Sequence, residues 1–94
     1  MKLIYSAQAV QDLIRLREFI AEKNPSAAAR IAGELVERIE HLRMFPELGR
    51  SVPQAPMPDT VRDFVFGNYV VRCAIHTSAV TILRVWHPYE NRDL

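Results

Sequence analysis

Four side chains in the last third of the chain can do chemistry together: Arg62, Arg84, His87 and Tyr89. Histidine is the side chain whose ordinary pKa suits proton transfer near neutral pH. A tyrosine hydroxyl two residues further on can share that work, and two guanidinium groups can hold the negative charge of a phosphate. Each also has a plainer reading. His87 suits a hydrogen-bonding residue at a strand end, Tyr89 behind Pro88 a packing anchor, and the arginines solvent-facing partners of Asp63 or Glu90.

Other chemistries find little support. His41, His76 and His87 lack metal-ligand spacing with acids, so no metal and no other cofactor is expected. Three glycines supply no phosphate-binding loop, and no serine or cysteine lies in a nucleophile motif. One cysteine excludes an internal disulfide; Cys73, inside an apolar run, reads as a small buried side chain. The 94 residues predict a single domain over 1–94. With 12 basic and 11 acidic side chains the net charge is +1, so direct nucleic-acid binding is not expected. No apolar run is long enough for a membrane span, and the N-terminus lacks a signal peptide's apolar core, which predicts a cytoplasmic protein with no membrane partner.

The candidate residues must be positioned by β structure. Val61–Phe66, Tyr69–His76 and Val80–His87 are rich in β-branched and aromatic residues and separated by very short turns, which predicts a three-stranded antiparallel meander. Gly67 can take a positive-φ corner, with Asn68 tolerating the second. Lys2–Tyr5 predicts a further short strand of the same sheet. Ser6 then suits a helix N-cap.

Two helices follow. From Ala7 to about Lys23, Ala9, Val10, Leu13, Ile14, Leu16, Phe19 and Ile20 make an apolar stripe, and Gln11, Asp12, Arg15, Arg17, Glu18 and Glu22 fall on the outer face. Asn24-Pro25 ends this helix and starts the next, with Asn24 as N-cap. The second helix runs to about Met44, with a stripe of Ala28, Ile31, Ala32, Leu35, Ile39 and Leu42, Val36 beside it and a Glu34–Arg38 pair outside. Ser51–Asp59, with three prolines, reads as an extended connector. The fold class is therefore α+β, in the order βααβββ, with a helical hairpin on one face of a small antiparallel sheet.

Alternation assigns the faces. Val71, Cys73, Ile75, Leu83 and Val85 are expected to pack on the helices. Arg62, Arg72 and Arg84 are expected on the other face, in a shallow basic and aromatic groove with Trp86. Two stripes exceed what so small a sheet covers, so apolar surface is expected around Leu16 and Phe19.

The order and spacing of several short motifs resemble the RelE/ParE superfamily of bacterial type II toxins over nearly the whole chain. They are Ser6-Ala7-x-Ala9-x-x-Asp12-Leu13, Phe45-Pro46-x-x-Gly49-Arg50, Arg62 before the first hairpin, Gly67-x-Tyr69-Val70-Val71, and Ile82-Leu83-Arg84-Val85-x-His87. The resemblance implies a toxin neutralised by an acidic antitoxin whose C-terminal segment wraps it. RelE-like members are ribosome-dependent mRNA endonucleases that use lysines and arginines around the sheet and a tyrosine near the end. ParE-like members inhibit DNA gyrase by binding.

Here no lysine follows Lys23, the connector carries no basic residue, His87 is followed by proline, and Cys73 stands where a tyrosine is frequent. These departures favour the ParE-like branch, associated with plasmid stabilisation, with no favoured catalytic residue. The contact residues for antitoxin or target are then Leu16, Phe19, Arg62, Arg72, Arg84, Trp86 and Arg92. The alternatives are a RelE-like endonuclease using Arg62, Arg84, His87 and Tyr89, and a non-toxic binding module of the same fold.

Overall fold

A computed structural model describes residues 1–52 and 60–87. Three strands, β3 (Val61–Phe66), β4 (Tyr69–Ile75) and β5 (Ala79–Trp86), form the expected meander. Gly67 makes the first turn at φ 56°, and no other described residue has a positive φ. Asn68 thus leaves the positive-φ corner to Gly67 alone, as in a II′ hairpin. β1 (Lys2–Tyr5) joins the sheet beside β5, and a two-residue strand, β2 (Arg50–Ser51), closes the other side.

The sheet has five strands in the order β1-β5-β4-β3-β2. It is mixed rather than antiparallel, because β1 runs parallel to β5, with Lys2 opposite Ala79 and Tyr5 opposite Ile82. The helical hairpin that separates β1 from the meander supplies the crossover a parallel neighbour needs. β2 falls at the start of the predicted connector, and Val52 extends it through a bond from its amide to the Val61 carbonyl. The rest of the connector lies outside the described residues.

Helix α1 (Ala7–Lys23) begins where predicted, with the Ser6 hydroxyl accepting the Ala9 amide at 3.0 Å. Helix α2 (Pro25–Glu40) ends earlier than predicted, and a 3₁₀ turn, His41–Arg43, takes over. Asn24 precedes α2 without a side-chain cap; its Oδ1 accepts the Ser26 hydroxyl instead. The pair outside α2 is Arg30–Glu34 at 3.2 Å, while Arg38 stacks over the Phe66 ring at 4.7 Å. No helix among the described residues is long and apolar enough to cross a membrane.

The core gathers Ala9 and Leu16 from α1, Leu35 and Ile39 from α2, Leu42 from the 3₁₀ turn, and Val71, Cys73, Val80, Ile82 and Val85 from the sheet. Each large side chain so buried stabilises the fold by about 1.5–3 kcal/mol. Leu16 is 1% exposed, so it is part of the core and not a contact surface. Val10 and Ile14, expected in the stripe, are exposed at 44% and 49%. Asp12, expected outside, is 2% exposed.

Candidate functional site

The strand registers decide which candidates share a face. Cys73 pairs with Ile82 and Arg72 with Arg84, so Leu83 has no opposite residue and forms a β-bulge. The extra residue breaks the alternation of β5. Ile82 and Val85 both face the core, and Leu83 is only partly buried. The expected inward Leu83 is thereby corrected to Ile82; Ile75 is likewise only half-buried.

In β3, Arg62 pairs with Cys73 and Phe64 with Val71, on the helix side. Asp63 pairs with Arg72 and Val65 with Val70 on the open side. Arg62 and Arg72 therefore lie on opposite faces, and the three arginines do not line one groove. Arg62 is in line with Ile82, two strands from β5 and five positions before His87. Strand spacings put those two backbones on the order of 15 Å apart.

Each arginine has its own internal partner. Arg62 Nη1 donates to the Gly49 carbonyl at 2.9 Å, while its buried Nε has no acceptor among the described residues. This contact needs the close approach of β2 to β3 that Gly49 allows, since a Cβ there would lie 2.9 Å from the Asp63 carbonyl oxygen. Arg72 makes a two-pronged pair with Asp63 at 2.8 and 2.9 Å, and its guanidinium sits 5.2 Å from the Trp86 ring. Trp86 is half-buried beneath it. Arg84 makes a two-pronged pair with Asp12, Nε to Oδ2 at 2.9 Å and Nη2 to Oδ1 at 3.2 Å.

Asp12, expected on the outer face of α1, is instead the buried partner of Arg84. Its carboxylate also accepts the Val85 amide at 2.8 Å and Arg15 Nη1 at 2.7 Å. Burial alone pushes this carboxyl up, but the bonds from Arg84, the Val85 amide and Arg15 outweigh it and hold Asp12 below its ordinary value. A signal was present: Ala9, Asp12, Leu16 and Ile20 fall at helical spacing on one face, so the acid stands on the buried stripe.

At the end of β5, His87 lies between two rings, tilted against Phe19 with centroids 6.0 Å apart and edge-on to Tyr69 at 5.2 Å. Phe19 is half-buried. Burial pushes the Tyr69 phenol above its ordinary value, so it stays a neutral hydroxyl near pH 7. The arrangement brings His87 and Arg84 to one end of the sheet and leaves Arg62 elsewhere. Tyr89 and Arg92 lie outside the described residues.

Residues 3–91 match the family model described as the ParE toxin of the type II toxin-antitoxin system parDE. The chain belongs to that family of type II toxins. It is 32% identical to Toxin RelE1 of Caulobacter vibrioides over 90 residues, covering 96% of each chain. It is 33% identical to Toxin RelE3 of the same organism over 85 residues, covering 90% of this chain and 91% of that one. Among solved structures, it resembles a chain of the chromosomal ParDE system of P. aeruginosa with a TM-score of 0.78 at 20% identity, over 93% and 95% of the two chains. A chain of the RelBE2 toxin-antitoxin complex of Mycobacterium tuberculosis superposes with a TM-score of 0.68 at 23% identity, over 92% and 95%. These structural likenesses establish the ParE/RelE fold, two helices on a small mixed sheet.

Proposed function

We propose that this ParE-family toxin acts by binding its target rather than by cutting RNA, with DNA gyrase as the target its family implies. The observation that carries this reading is the dispersal of the arginines. RNA cleavage through a 2′-hydroxyl needs a base, an acid and cationic groups converging on one phosphate. Arg62 lies far from His87, and Arg62, Arg72 and Arg84 are held by Gly49, Asp63 and Asp12. No lysine follows Lys23 to replace them. The half-exposed rim of Arg84, Trp86 and His87 suits a contact surface.

A cognate antitoxin completes the reading. Both structural neighbours come from toxin-antitoxin systems. An acidic antitoxin segment that folds on binding gains by covering exposed apolar side chains. Val10 and Ile14 on α1 offer such surface here.

The names of the Caulobacter relatives favour the second reading, a RelE-like ribosome-dependent endonuclease. The double variant His87→Gln, Tyr89→Phe separates the two, because it removes proton transfer while keeping size and much of the hydrogen bonding. General acid–base help is typically worth about 10²–10⁴-fold in rate. A binding toxin with these two changes still arrests bacterial growth. Loss of growth arrest in a folded double variant, together with mRNA cutting by the parent, selects the endonuclease.

A further inference from the structure

Asp12 has no role in either reading, yet it is the buried charge that joins α1 to the end of the sheet. β1 covers the outer edge of β5 only as far as Ile82. Ser6 continues the cover, donating its amide to the Ile82 carbonyl and its hydroxyl to the Leu83 carbonyl, both at 2.9 Å. Beyond that point the missing strand is replaced by side chains. Asp12 accepts the Val85 amide at 2.8 Å, and Arg15 Nη2 donates to the Val85 carbonyl at 3.4 Å. Together they make the two contacts that a neighbouring strand would make to Val85.

We propose that Asp12 is a positioning residue that stands in for a strand at the edge of β5 and sets the direction of Arg84 for contact with the toxin's target. A fork-to-fork pair fixes orientation as well as energy. Asp12 is 2% exposed and the Arg84 side chain 38%, so a buried carboxylate grips one side of a guanidinium whose remainder reaches the surface. Leu83 contributes by its bulge, which takes Arg84 out of the regular alternation of β5 at the point where β1 has ended. Arg72 is held differently, by Asp63 on its own open face. The inference rests on the binding reading only in treating Arg84 as a contact residue.

The test is a four-member cycle: the parent, Asp12→Asn, Arg84→Met and the double variant, at matched expression. The readout is the dose that arrests bacterial growth, so a negative result with purified gyrase would count against that target and leave this inference intact. Loss of one charge-assisted contact corresponds to about tenfold in potency or more. The expected result is that each single variant loses potency and the double variant loses no more than Arg84→Met alone. Circular dichroism at the growth temperature establishes that each variant is folded. If Asp12→Asn is not folded, Asp12→Glu takes its place in the cycle, since it keeps the charge and displaces the fork. Independent losses that multiply in the double variant overturn the proposal. So does an Arg84→Met variant of full potency beside a folded, weakened Asp12 variant.

Discussion

Asp12 Oδ2 accepts the amide of Val85 at 2.8 Å across 73 positions of sequence, where a strand would otherwise pair. The same carboxylate pairs with both Arg84 and Arg15, and it is nearly all buried. Removing its charge takes the Asp12 carboxylate from both guanidinium groups. Breaking a buried pair costs about 3–5 kcal/mol, and the low end applies because both arginines are more than a third exposed. Asp12→Asn is expected to lose about 3 kcal/mol in urea unfolding at pH 7.

The pH dependence follows from the sign of the Asp12 shift. Its folded value lies below the ordinary value, so the unfolded chain takes up the proton first as the pH falls. The stabilisation is therefore complete above a pH of about 4, and it fades as the pH falls through the depressed folded value. The gap between parent and Asp12→Asn in urea unfolding should be level from neutral pH down to that point and then shrink. A gap that widens on acidification contradicts the assignment.

Most of the fold was legible because its signals are local. Strands β3 and β4 follow from period-two runs joined at Gly67, and α1 from Ser6 and Asn24-Pro25. The missed features depend only in part on partners distant in sequence. Asp12 stands at helical spacing with Ala9, Leu16 and Ile20, so its burial is legible locally, while its partners Arg84 and Val85 lie far along the chain. The bulge at Leu83 inserts one residue into an otherwise regular alternation, and nothing in Ile82-Leu83-Arg84-Val85 marks where the period slips. Arg62 groups by residue type with Arg72 and Arg84, but the two-residue turn at Gly67-Asn68 pairs Phe66 with Tyr69 and so puts Arg62 opposite Cys73, on the helix side. β2 is too short for any pattern and exists because Gly49 lets Arg50 approach Asp63.

The two glycines Gly33 and Gly49 should respond oppositely to alanine. A Cβ at Gly33, inside helix α2, meets nothing within 4 Å among the described residues. Gly33→Ala is expected to stabilise the protein by about 0.5–1 kcal/mol through helix propensity and lost chain entropy. At Gly49 the added carbon meets backbone at 2.9 Å, so β2 must move from β3 and the Arg62 contact is disturbed. Thermal unfolding of the two variants should shift in opposite directions.

Leu35 is 1% exposed at the centre of the core. Leu35→Ala should cost ~2–5 kcal/mol in urea unfolding. For a domain of this size that is a large share of the total. A loss below about 0.5 kcal/mol, which is the range of surface substitutions, contradicts the core assignment.

Cys73 is fully buried, and burial pushes its thiol up to about 11. The raised value leaves far less thiolate near neutral pH than an ordinary thiol has. The folded protein should resist a disulfide reagent that labels it promptly in denaturant. Rapid labelling of the folded chain contradicts the burial.

Binding and cutting separate when purified chain is added to a gyrase supercoiling assay run beside translating ribosomes carrying mRNA. A binding toxin inhibits supercoiling, is reversed by the cognate antitoxin and leaves the mRNA intact. Undisturbed supercoiling with mRNA cut on the ribosome contradicts the binding reading.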